Sequence, residues 1–117
     1  MEKAGLVREL LERVADKWTL LAIDALAEHG TQRFGELRTR VGDVSQKMLT
    51  KTLRNMERDG LVVRRVLPVV PPHVEYTLTD LGESLGETVC GIWLWAERHG
   101  DVVERARASF DARPRPA

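Results

Sequence analysis

Residues 45–60 read SQKMLTKTLRNMERDG, and the architecture of the chain turns on them. Their period is helical. At about 100° per residue, Met48, Leu49, Thr52, Leu53 and Met56 gather on one side. Lys47, Lys51, Arg54 and Arg58 gather on the other, with Gln46 and Thr50 beside them in the first turns. Ser45 is suited to the N-cap, because its hydroxyl oxygen can accept from a backbone N–H that has no partner inside the helix. Gly60 is the kind of residue that ends a helix. One face is fit for a core and the other is a row of cations. Taken alone, this pattern describes a solvated surface helix as well as a binding element. The flanking sequence separates the two.

Upstream, residues 35–41 predict a short helix with Leu37 and Val41 facing inward, and Gly42-Asp43-Val44 form a tight connector into Ser45. A short helix, a three-residue turn with glycine, and a capped helix with a basic outer face make a helix-turn-helix pattern. Downstream the period changes to two. Residues 62–67 (VVRRVL) and 74–78 (VEYTL) are rich in β-branched residues, and Val74, Tyr76 and Leu78 alternate with Glu75 and Thr77. Residues 68–73 (PVVPPH) lie between them, and their three prolines belong at a hairpin tip, where no ladder hydrogen bond is needed. A hairpin directly after a helix-turn-helix is a wing. Arg64, Arg65 and His73 sit on it, either within reach of a phosphate backbone or minor groove, or as solubilising charges on an edge strand.

Further out, residues 6–14 read as a short helix with Leu6, Leu10 and Val14 on one stripe. Asp16 is placed to cap a second helix over residues 17–28, with Trp18, Leu21, Ala22, Ala25 and Leu26 on one side. Residues 31–34 are a stub of strand with Phe34 inward. Thr79-Asp80 open a long helix to about His99, striped by Leu81, Leu85, Val89, Ile92 and Ala96. Cys90, Trp93 and Leu94 lie outside that stripe, so the helix is apolar on more than one side, as a subunit interface requires. Gly82, Gly86 and Gly91 within it suggest the close approach of another backbone. Residues 101–110 read as a separate short helix, and residues 113–117 as a tail.

These elements predict one mainly α domain with a small β-hairpin (α+β) over residues 1–117. The helix-turn-helix spans about 35–60, the wing about 62–78 and the C-terminal helices about 79–112. At 117 residues the chain is long enough for one real core and too short for two. No apolar run suffices for a membrane span, and MEKAGLVREL has no signal-peptide core, which together point to a cytoplasmic protein. The single cysteine, Cys90, rules out an intrachain disulfide and reads as a packed thiol inside the long helix.

The 18 basic and 18 acidic side chains cancel, but their distribution does not. Residues 33–65 carry nine Lys/Arg against four Asp/Glu, whereas both flanking segments are net acidic. Local potential, rather than net charge, attracts a polyanion. His29, His73 and His99 lack metal-ligand spacing, no glycine motif cradles a phosphate, and Ser45 has no His/Asp relay. The expectation is therefore no enzyme, no metal and no cofactor.

The chain resembles the HxlR-type winged helix-turn-helix transcriptional regulators of prokaryotes. The resemblance is carried by residues 16–21 (DKWTLL), 33–37 (RFGEL) and 45–50 (SQKMLT). It continues through Leu53, Glu57, residues 59–61 (DGL) and residues 71–79 (PPHVEYTLT), to Gly82 and Trp95. It implies a homodimer joined through N- and C-terminal helices, on a pseudo-palindromic DNA operator with one 45–60 helix per half-site. Many members carry a cysteine near the N-terminus, which in some senses electrophiles or oxidants, and residues 1–15 contain none.

The expected DNA-binding residues are Arg33, Ser45, Gln46, Lys47, Thr50, Lys51, Arg54, Arg58, Arg64, Arg65 and His73. Gln46, Lys47 and Thr50 would face base edges and the others mainly phosphates. The expected dimer contacts are Leu6, Leu10, Leu85, Val89, Ile92 and Trp93. Repression is the expected outcome. Any small-molecule effector would sit between the N-terminal helices and the Trp93/Trp95 region. Two other readings stay open: a winged-helix protein-interaction module without specific DNA binding, and a MarR-like effector-responsive regulator.

Overall fold

A computed structural model describes residues 3–114 of the chain. Five helices and three short strands follow in the order α1 (Lys3–Val14), α2 (Lys17–His29), β1 (Gln32–Arg33), α3 (Phe34–Val41), α4 (Gln46–Arg58), β2 (Val62–Leu67), β3 (His73–Leu78) and α5 (Asp80–Asp111). The fold is mainly helical with a small antiparallel sheet, as expected, and the 45–60 stretch is α4.

Local chemistry sets the helix ends. Asp16 Oδ1 accepts from the Trp18 N–H at 2.9 Å and caps α2. Ser45 Oγ accepts from the Met48 N–H at 3.0 Å and caps α4. At the other end of α4, Gly60 takes φ 78°. That left-handed turn lets the Leu61 N–H reach the Met56 carbonyl at 2.9 Å and the Gly60 N–H reach Glu57 at 3.1 Å. This pair of bonds closes the helix and drops Leu61 into the core beside Met56.

The core is built where α2, α3, α4 and the sheet meet. Ile23, Leu37, Leu49, Leu53 and Met56 are fully buried there, with Leu61, Val62 and Tyr76 completing it. The inward side of α4 is Leu49, Thr52, Leu53 and Met56. Met48 departs from the expectation: it lies at the edge of the stripe and is 41% exposed. Phe34 is half-buried at the start of α3 and packs against the core.

The sheet order is β1-β3-β2, all antiparallel. Val62 pairs with Leu78, Arg64 with Tyr76 and Val66 with Val74, so these six share one face. Val63, Arg65, Leu67, His73, Glu75 and Thr77 share the other. Arg33 pairs with Glu75 and joins that second face.

α5 departs most from expectation. It runs unbroken through Gly100, so residues 101–110 are its last turns and not a separate helix. A glycine ends a helix by adopting positive φ, and Gly100 is not among the glycines that do. Its propensity cost of about 1 kcal/mol is too small to break the helix alone. Gly82 is the tight point. An added Cβ would lie 2.1 Å from the Leu61 carbonyl oxygen, so α5 rests directly on the chain leaving α4. Gly86 lies in ordinary contact with α2, and nothing lies near Gly91. The close approach expected of these glycines is therefore real at Gly82 and within the protomer. Cys90 is exposed, contrary to the packed thiol expected: it borders an open concavity between α5 and α2, with Leu26 and Ala27 across from it.

Candidate nucleic-acid interface

The outward side of α4 is exposed along its whole length: Gln46, Lys47, Thr50, Lys51, Arg54 and Arg58 all face solvent. Lys47, Thr50, Lys51, Arg54 and Arg58 border one shallow concavity, with Asn55 at its edge. The opposite side of the helix is locked in the core, so these side chains share a fixed platform. Among the described residues, no carboxylate lies within ion-pair distance of any of these four cations. The face thus presents its charge unneutralised, and such a face attracts a polyanion. Thr50 Oγ1 donates to the Gln46 carbonyl at 2.7 Å, which leaves its methyl and an acceptor lone pair outward.

A second concavity of about 530 Å³ joins α4 to the wing. Gln46, Thr50 and Arg54 line it from the helix, and Arg64 and Tyr76 from the sheet. The alternation of the strand therefore divides the wing cations. Arg64 shares a face with Tyr76 and is brought to the α4 platform. Arg65, His73 and Arg33 fall on the other sheet face, around Glu75, and are not brought together with α4. Arg33 also stands at the start of α3, where its backbone N–H donates to Glu36 Oε1 at 3.0 Å. Glu57 is the residue that sequence reasoning passed over: it lines the same notch as Arg54 and Arg64. Its spacing of seven from Thr50 and eleven from Gln46 places it on that side of the helix.

The connector before α4 is held by side chains. Arg38 Nε donates to the Val44 carbonyl at 3.2 Å, tying α3 to the turn. Behind the site, Arg13 on α1 pairs through Nε with Asp59 Oδ2 at 2.6 Å, just after the last turn of α4.

The expected interface residues divide as well. Val89 is buried in the protomer's own core, which removes it from the dimer set. Leu85 is half-buried against that core, and with Leu10 it lines a groove between α5 and α1. Leu6, Ile92 and Trp93 are exposed. Ile92, Trp93, Leu94 and Trp95 are all about half exposed at four consecutive helical positions, so apolar surface runs around α5 there. Trp93 Nε1 donates to Glu97 Oε1 at 2.8 Å, and Trp95 stacks on His99. No helix among the described residues is long and apolar enough to cross a membrane.

A short helix, a braced turn, a rigid cationic helix and a hairpin wing beside it define a winged helix-turn-helix DNA-binding protein. Comparison with known proteins gives the family. The HxlR-like helix-turn-helix family matches residues 13–104, and the chain belongs to it. It is 49% identical over 90 residues to the HTH-type transcriptional regulator YtfH of Escherichia coli, covering 77% of this chain and 71% of that protein. It is 35% identical over 106 residues to the HTH-type transcriptional regulator YdeP of Bacillus subtilis, covering 91% and 82%. A solved structure of the transcriptional regulator YtfH from Salmonella typhimurium superposes with a TM-score of 0.80 at 43% identity, covering 87% of this chain and 90% of that one. The chain is a DNA-binding transcriptional regulator.

Proposed function

We propose that residues 1–117 act as one winged-helix unit that binds a pseudo-palindromic operator as a homodimer, with one α4 per half-site, and represses transcription. The observation that carries this reading is the unpaired cationic side of α4, joined by Arg64 from the wing and held rigid by the core behind it. Gln46, Lys47 and Thr50, in the first turns after the Ser45 cap, face base edges. Gln suits adenine and Lys suits guanine. Lys51, Arg54, Arg58 and Arg64 neutralise phosphates, which sets affinity without reading sequence. Arg33, Arg65 and His73 have a weaker claim, because they lie across the sheet from the platform.

Dimerisation is supported by the apolar girdle of Ile92, Trp93, Leu94 and Trp95 and by exposed Leu6, Val7 and Leu11 on α1. A contiguous apolar surface of this kind marks a partner's position. A two-fold dimer sets the two reading helices about 34 Å apart, one turn of DNA, or a multiple of it. The protein so read carries no catalysis, metal or cofactor and works in the cytoplasm on the nucleoid.

The test is selection of bound sequences from random DNA, followed by anisotropy titration of wild type and Gln46→Ala. A two-fold repeated motif is expected. Gln46→Ala should weaken binding by about 1–3 kcal/mol on the selected site and little on random DNA. An equal loss on both would remove Gln46 from base reading. Absence of any enriched motif would overturn sequence-specific binding.

A further inference from the structure

An apolar groove lies away from the DNA face, between α1, the chain leaving α4, and the first turns of α5, and has a volume of about 250 Å³. Its walls are Leu10 and Val14 from α1, Leu61, and Leu81 and Leu85 from α5. This is not the Trp93/Trp95 region where an effector was expected, since those residues lie about two turns further along α5. The groove is smaller than the several hundred Å³ typical of sites for drug-sized ligands, so it fits a body of one or two rings or a short alkyl chain.

The rim supplies the chemistry of the ligand. Arg13 lines the groove, and its guanidinium spends only Nε on Asp59. Its two terminal nitrogens have no hydrogen-bond partner among the described residues. The Arg13 and Asp59 side chains are only 24% and 15% exposed, so the unused donors stand in a partly desolvated place. Paired N–H donors held there suit a carboxylate, which a guanidinium takes through two parallel bonds. Ser84 and Thr88, also on the rim, donate their hydroxyl protons to backbone carbonyls of α5 and offer acceptors. Asp59 is the anion among the lining residues, and its carboxylate is held on Arg13 Nε.

We propose that this groove binds an apolar carboxylic acid as its anion. The hydrocarbon body sits against Leu10, Leu61, Leu81 and Leu85, and the carboxylate pairs with the terminal nitrogens of Arg13. The acid is felt at the DNA face because Arg13 also holds Asp59 at the end of α4, while the hydrocarbon wedges α1 from α5. A second anion on Arg13 competes with Asp59 for the guanidinium and loosens that tie. The binding half of the proposal stands without the DNA-binding reading; the coupling half rests on it.

The test titrates the full-length protein, without DNA, with 2-naphthoate, benzoate and hexanoate by calorimetry, using 2-naphthylmethanol as the uncharged counterpart. At least one acid should bind at millimolar concentration or better, and 2-naphthoate about tenfold or more tighter than the alcohol. Arg13→Gln should remove that preference for the acid, and Leu85→Trp, which fills the groove, should abolish binding of both. No heat with any of the three acids, or binding indifferent to both substitutions, would overturn the site. Sedimentation of Leu85→Trp guards the alternative occupant: if it dissociates a wild-type dimer, a second copy of the chain fills the groove and the proposal is wrong. In a parallel titration on DNA, bound acid should shift affinity at least about threefold, a modest coupling. Binding without any shift would leave the site standing and overturn its coupling to α4.

Discussion

Replacing Gly82 by alanine sets two physical terms against each other. Gly82 lies in the first turn of α5, and alanine is favoured over glycine there by about 1 kcal/mol of helix propensity. On propensity alone Gly82→Ala stabilises the protein. The structure predicts the reverse. The new methyl would sit 2.1 Å from the Leu61 carbonyl oxygen and 2.8 Å from Leu78 Cδ2. The leucine can rotate, but the carbonyl is backbone, fixed by the closing turn of α4. That same oxygen accepts from the Thr79 N–H at 3.0 Å, and Thr79 Oγ1 donates to the Gly60 carbonyl at 2.6 Å. Relieving the clash moves α5 away and strains both bonds. Overpacking costs about 1–3 kcal/mol and a broken hydrogen bond about 1 kcal/mol. After the propensity gain of about 1 kcal/mol, the net expectation is a destabilisation of about 1–3 kcal/mol. Urea denaturation followed by tryptophan fluorescence reads this directly. Protein concentration must be held constant, because dimerisation would couple to stability. A stability equal to or above wild type would contradict this balance and show that α5 has freedom where the structure places a hard contact.

Three further outcomes follow from the geometry. Ser45→Ala removes the acceptor for the Met48 N–H and should cost about 1 kcal/mol of stability in the same urea assay. An unchanged midpoint would mean that water replaces the cap without penalty. Arg64→Ala should reduce the slope of log affinity against log salt by about 0.9 for each phosphate that the guanidinium neutralises, whereas Arg65→Ala, on the opposite sheet face, should leave it nearly unchanged. Equal effects on anisotropy-derived slopes would show that the wing meets DNA through both faces. Trp93→Arg places a charge on the apolar girdle of α5 and should shift a dimer towards monomer in sedimentation velocity without lowering helix content. A monomeric wild type, or a variant that remains fully dimeric, would remove Trp93 from the interface.

Much of this fold is legible one element at a time. The caps at Asp16 and Ser45, the close of α4 at Gly60 and the two longer strands each follow from nearest-neighbour chemistry. Leu49, Thr52, Leu53 and Met56 are inward because a helical period permits no other common side. Met48 escaped that logic because it sits at the margin of the stripe, where the depth of neighbouring elements decides burial. Gly100 escaped it because a glycine signals a helix end only through its φ angle, which the sequence does not show.

The candidate site divides in the same way. The cationic side of α4 is a property of sequence, since spacing along one rigid helix fixes which side chains are neighbours. The placement of Arg64 with α4, and of Arg65, His73 and Arg33 across the sheet, needed the strand register and the knowledge of which face meets the core. Arg13 and Asp59 are 46 residues apart, and no local pattern joins them. The groove beside them and the contact at Gly82 likewise arise where distant segments meet. The elements, their ends and the charge along α4 could be read from the order of residues, because each depends on positions only a few apart. Which cations share a face with α4, which leucines the core takes and which line the groove were settled by packing between segments far apart in the chain, and that packing has no local signature.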